Sequence, residues 1–228
     1  MGSPAKTTRS KSLSKPLRSG PGRPAGKSED TMRRRLLAVA LQAFASKGFD
    51  GASLSAIARA ADATPPLVNY YFGSKEGLWH AAVTAAFEEL RASFAEIEAE
   101  LRNIDPATAL KIYVRRFIRF SARRPEVALV LTNENREDGP RLQWLLESHV
   151  APLQGFLLKL IIDGQALGVF REGRPESIVE IIIGACTHAI LTRPMMRVLH
   201  GVDPCSEEYV DEHTDLVVET VLYGLVQR

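Results

Sequence analysis

No stretch of this sequence is spaced for covalent chemistry. It holds no HExxH, no GxSxG, no Cys/His ligand cluster, and its 5 histidines are scattered. "GPGRPAGKS" superficially resembles a phosphate loop, but Pro21 stands where the first glycine is needed and no strand precedes it. No catalytic residue, metal ligand or cofactor is expected. The side chains that share a purpose are suited to non-covalent contacts, and they gather in "SLSAIARAADATPPLVNYYFGSKEGL", Ser53 to Leu78. Ser53, Thr64, Tyr70 and Lys75 suit phosphate oxygens, Asn69 can pair bidentately with an adenine edge, and the apolar atoms of Pro65, Pro66 and Leu67 suit thymine methyls. Leu67 also fits a core position, Asn69 a solvated one and Lys75 an ordinary surface charge. Tyr71 and Phe72 read as core.

The elements that must position these residues are helices. A first helix starts near Ser28, with Glu29 and Asp30 where a helix N-terminus favours acids and with Leu37, Ala40, Leu41 and Phe44 at helical spacing. Gly48 stops it. Ser53 is the expected N-cap of a second helix of about two turns, bearing Leu54, Ile57, Ala58 and Ala61 on one side. Asp62 falls where the connection needs a left-handed residue, a conformation that Asp tolerates better than most residues with a Cβ. Pro65 and Pro66 then start a third helix after Thr64: the first-turn N–H groups have no acceptor within a helix, and a fixed φ costs nothing there. Gly73 ends that helix and Ser74 caps a fourth.

A two-turn helix, a short turn and a second short helix form a helix-turn-helix, whose second helix lies in the DNA major groove. "ALQAFASKGFDGASLSAIARAADA" followed by "NYYFGSKEGL" resembles the DNA-binding domain of the TetR family of bacterial transcriptional regulators over residues 29 to 78. Asp62 stands where members of that family usually have Gly, and Asn69 replaces a common Tyr. The resemblance implies an all-α fold, with an N-terminal three-helix helix-turn-helix domain followed by a larger helical ligand-binding and dimerisation domain. It also implies a cytoplasmic, ligand-responsive repressor that binds a double-stranded DNA operator as a homodimer.

Residues 1–27 are a basic, Ser/Pro/Gly-rich arm too poor in apolar residues to fold, residues 28–73 the helix-turn-helix domain, and residues 74–228 the helical regulatory domain. Within the arm, Gly22-Arg23-Pro24 can place Arg23 in a minor groove, and a solvated linker fits equally well. Only 2 cysteines occur and neither has ligand spacing, which fits a reducing cytosol. No run reads as a signal peptide or reaches the length of a membrane span, so no membrane partner is expected. Proline and glycine boundaries divide the remainder into helices near 74–102, 106–122, 125–136, 140–167 with a bend at Pro152, 175–192 and 206–226.

The last two of these helices are apolar on more than one side, so each must be covered on two sides. Ile182, Cys186, Val210, Val217 and Val221 are the candidates for an interface with a second copy; burial within one subunit is the competing reading. For a pocket holding an unknown small-molecule effector the candidates are Phe117, Phe120, Asn133, Trp144, Phe156 and His188. Core packing competes at each. A helical DNA-binding protein that senses nothing and an all-helical enzyme are the alternative functions.

Overall fold

The computed structural model of the chain describes residues 1–2, 25–101 and 104–226. Arg23 and the arm up to residue 24 lie outside the described residues, apart from the first two. Helix α1 (Ala25–Gly51) starts inside the stretch expected to be arm, and a φ of 70° at Gly48 breaks it before one last turn. Leu36, Leu37, Ala40, Leu41 and Phe44 bury one stripe of it. Helix α2 (Leu54–Ala60) is capped by Ser53, whose Oγ accepts from the Ala56 N–H at 3.4 Å.

Asp62 follows with φ at 54°, in the left-handed region. A contact from outside the turn helps to hold it there: its carboxylate is salt-bridged to Arg35 of α1. Asp62→Ala should therefore lower head stability by about 1–2 kcal/mol, since it loses both the local tolerance for this backbone and an exposed ion pair. Asp62→Gly, which relieves the strain as it breaks the pair, should stay within about 0.5 kcal/mol of the parent. Thermal melts of the two variants check the difference.

Helix α3 (Pro65–Phe72) carries both prolines in its first turn. Thr64 is extended, and its carbonyl accepts from the N–H groups of Leu67 and Val68 at 3.0 and 3.2 Å, while its side chain makes no capping bond. Gly73, at φ 72°, ends the helix. Ser74 Oγ then accepts from the Gly77 N–H at 2.9 Å and caps α4 (Lys75–Leu101).

The body consists of α5 (Pro106–Arg123), α6 (Pro125–Glu134), α7 (Pro140–Leu145), α8 (Ala151–Ala166), α9 (Pro175–Leu191), α10 (Arg193–His200) and α11 (Glu207–Leu225). Every helix from α5 to α10 has a proline in its first turn, the same device that starts α3. Among the described residues the only strand-like pairing is an isolated antiparallel bridge between Phe170 and Val226. Helix α7 passes into α8 through a π turn, Leu146–Val150, in which Ala151 N–H donates to Leu146 O. The expected bend thus becomes a wide turn just before Pro152, whose missing N–H cannot serve the carbonyl one turn back. The continuous run Pro140–Ala166 is long and apolar enough to cross a membrane, contrary to expectation, but Leu145, Leu157 and Ile161 within it are buried in the chain's own core.

The packing of the last helices corrects the expected interface. Helix α9 packs on α5 and α8, and α11 packs on α5. Those contacts bury Ile182, Cys186, Val210 and Val217 within the chain and half-bury Val221. Burial pushes the Cys186 thiol up to about 12, so it stays protonated. The apolar residues left open on the same helices are their neighbours: Ile181 at 67%, Leu216 at 63% and Tyr223 at 72% exposure. Helix α10, absent from the sequence reading, buries none of its residues and presents Met195, Val198 and Leu199 to solvent. Its Arg193 is salt-bridged to Asp203 at 2.7 Å.

Candidate nucleic-acid interface and interior cavity

Helix α3 turns one side inward and the other outward. Val68 is buried, on a helix that packs on α2 and α4, with Leu67, Tyr71 and Phe72 half-buried beside it. Pro65, Pro66, Asn69 and Tyr70 form the exposed side, one helical turn apart in pairs, and Thr64 is exposed just ahead of them. A protein helix that keeps a short polar amide and two rigid apolar rings in solvent on one face has the shape and chemistry to enter a major groove. Ser53 is exposed at the start of α2, and its O–H remains able to donate although Oγ already accepts the cap bond.

Lys75 is placed differently from expectation. Its ammonium donates to Asp50 O at 3.2 Å and lies 4.7 Å from the centre of the Phe49 ring, so a phosphate would have to compete with both contacts. Two cations that the sequence reading passed over are exposed with no ion-pair partner among the described residues: Arg59 in the last turn of α2, and Arg33, 5.8 Å from the Phe72 ring centre at the end of α3. The Arg33-Arg34-Arg35 run was the available signal. Of its three members, Arg34 and Arg35 are occupied by Asp30 and Asp62.

A cavity of about 340 Å³, partly open to solvent, lies in the body, walled by α4, α5, α6, α8 and α9. Phe117, Phe120 and Phe156 line it, together with Phe87, Phe94 and Tyr113. The other three candidates lie elsewhere. His188 is exposed on α9. Trp144 packs in an aromatic cluster, 5.4 Å from Trp79 and 4.9 Å from His149. Asn133 donates its amide to the carbonyls of Phe44 and Ala45 at 3.3 and 2.9 Å, capping the end of the straight part of α1 where Gly48 interrupts the helical ladder. It sits beside a second, polar cleft of about 430 Å³ between Ser46–Gly51 and residues 133–142, where Arg141 is salt-bridged to Glu134 at 2.9 Å and lies over the Phe49 ring at 4.0 Å.

Two physical links therefore join the cavity to the head. Helix α6 offers Val127, Ala128 and Leu131 to the cavity and Asn133 to α1. Phe87, a cavity wall, stacks on His149 at 5.3 Å, and the contacts continue through Trp144 and Trp79 to Phe49 of α1 at 6.5 Å. Burial holds the His149 imidazole below its ordinary pKa, which keeps this aromatic stack neutral near pH 7.

Comparison with known proteins matches both halves of the chain. Residues 36–82 match the family described as bacterial regulatory proteins, tetR family, and residues 106–221 match the family described as tetracyclin repressor-like, C-terminal domain. The chain is 33% identical to the HTH-type transcriptional repressor NicS of Pseudomonas putida over 147 residues, 63% of this chain and 68% of that one. It is 25% identical to the HTH-type transcriptional regulator RutR of Escherichia coli over 203 residues, 86% of this chain and 91% of that one. The solved structure of the transcriptional regulator FadR from Bacillus subtilis in complex with stearoyl-CoA superposes with a TM-score of 0.63 at 17% identity, covering 84% of this chain and 98% of that one, a likeness of fold.

Proposed function

The chain belongs to the TetR family of bacterial regulatory proteins, and from that premise we propose that it is a cytoplasmic repressor that binds a near-palindromic operator as a homodimer and releases it when a small molecule fills the 340 Å³ cavity. The observation that carries this is the outward face of α3, where Pro65, Pro66 and Asn69 stand in solvent over a buried Val68. Asn69 reads an adenine, and the proline rings supply shape and apolar contact. Ser53, Thr64, Tyr70, Arg33 and Arg59 hold phosphates, and Lys75 joins them only by sharing its contacts with Asp50 and Phe49.

The second copy covers the exposed apolar residues of the last three helices. Ile181, Leu216 and Tyr223 form the centre of an isologous helical interface, with Met195, Val198 and Leu199 of α10 beside them. Helix α9 belongs to both regions, since Ile183 and Thr187 line the cavity. A ligand that favours one setting of α4, α6 and α9 over another changes the spacing of the two heads; a ligand indifferent to that setting shifts nothing, however tightly it binds.

Asn69→Ala tests the reading role. The ratio of operator to random-DNA affinity should fall by about 10- to 100-fold, corresponding to the roughly 1–3 kcal/mol carried by a bidentate base contact. Random-DNA affinity and its salt dependence should be unchanged, because the phosphate contacts remain. Competition gel shifts at fixed salt measure both, and an unaltered ratio would remove Asn69 from the reading face.

A further inference from the structure

We infer that the effector is an uncharged, largely apolar molecule carrying a hydrogen-bond acceptor, such as a carbonyl or ether oxygen, that meets the Tyr113 hydroxyl inside the cavity. This rests on the reading of the cavity as the effector site. Tyr113 is only 5% exposed and lines the cavity, with its ring 5.0 Å from Phe94, 5.9 Å from Phe117 and 6.0 Å from Phe156. Its hydroxyl makes no hydrogen bond to another described residue, and it is not among the fully enclosed unpaired polar atoms, so it is open to a partner from the cavity side. Burial raises its pKa, so the phenol stays protonated and offers a donor. Ser121, 4% exposed, places a second hydroxyl in the same wall.

The charges nearby argue against an ionised ligand. Apart from Tyr113, the ionisable side chains lining the cavity are Arg124 and Glu180. The Arg124 guanidinium is already salt-bridged to Glu89 and lies 3.8 Å from Glu126. Glu180 is exposed, where water screens it. A carboxylate seated among the aromatic walls would lose its hydration and find Arg124 already paired, and an ammonium would find only the exposed, screened Glu180. The cavity is near the lower end of the range for ordinary ligand pockets, roughly 300–1,000 Å³, which favours one compact ring system.

Four probes sharing one skeleton test the inference on the full chain by calorimetric titration: 2-acetylnaphthalene, 2-ethylnaphthalene, 2-naphthoate and 2-naphthylmethylammonium. The ketone should bind tightest, and both ions at least about tenfold more weakly, since each decade reflects only ~1.4 kcal/mol of the desolvation cost. Tyr113→Phe should weaken the ketone by about 2- to 12-fold, as expected for loss of one neutral hydrogen bond, and leave 2-ethylnaphthalene unchanged. Its melting temperature should be kept, because no hydrogen bond within the described residues is lost. Tighter binding of either ion than of the ketone, a ketone affinity indifferent to Tyr113→Phe, or binding of none of the four would overturn the inference. Operator binding by the ligand-free chain is measured alongside: its absence would sink the repressor reading, whereas its presence with a failed probe series sinks the ligand class alone.

Discussion

Gly77→Ala is expected to cost operator affinity by a factor of about 100 or more, the equivalent of roughly 3 kcal/mol, and to lower the melting temperature as well. A Cβ at Gly77 would stand 2.1 Å from the carbonyl oxygen of Phe72, the last residue of α3. That neighbour is backbone and cannot rotate away as a side chain could. The same carbonyl accepts from the Ser74 N–H at 2.8 Å, and Ser74 in turn caps α4 through the Gly77 N–H. Relieving the clash therefore requires the junction between α3 and α4 to open, which tilts the exposed face of α3 away from the setting that its core contacts define. Overpacking of this kind typically costs about 1–3 kcal/mol of stability. Gel shifts and thermal melts on the variant decide the matter, and parental operator affinity would mean that the junction does not set the position of α3.

Leu216→Glu should convert the protein to a monomer in sedimentation and reduce operator affinity on the order of 100-fold, since a dimer gains avidity from its second head without any new contact to DNA. Leu216 is 63% exposed on α11, so the charge costs the isolated fold little. Two-fold symmetry would bury that carboxylate twice at an apolar interface with no counter-charge. The neighbouring Val217, 6% exposed, provides the contrast. Val217→Ala should lose about 1–3 kcal/mol of stability with dimerisation retained, because its methyls fill the core of one chain. If Leu216→Glu stayed dimeric, the second copy would have to sit on another face.

The head was legible in the sequence because its signals are local. Ser53, Asp62, the proline pair and Gly73 each prescribe a backbone state within a few residues, and each state is found where the residue stands. Tertiary choices were less legible. Helices α9 and α11 were recognisable as apolar on two sides, yet periodicity does not say which side faces inward; Ile181 is open and Ile182 buried, Leu216 open and Val217 buried. The aromatic candidates Phe117, Phe120 and Phe156 do line the cavity, since large apolar rings on these helices have few other places to go. The remaining candidates had other places to go: Asn133 caps another helix, the Trp144 ring joins a separate aromatic cluster and His188 meets solvent. Helix α10 was missed although Pro194 marks its first turn by the same logic as Pro65 and Met195, Val198 and Leu199 fall at helical spacing: it is only eight residues long, and its apolar side faces solvent, not the core.

Selection of binding sites from random duplex DNA, followed by methylation interference on the winners, addresses the groove-reading role of α3 most directly. Methylation at guanine N7 lies in the major groove and at adenine N3 in the minor groove, so one reagent reports on both. Enriched sites should contain two inverted half-sites, with N7 methylation blocking binding in each and Asn69→Ala relaxing the preference at one position per half-site. DNA binding without an enriched sequence, or interference confined to adenine N3, would contradict the placement of Pro65, Pro66 and Asn69 against base edges in the major groove.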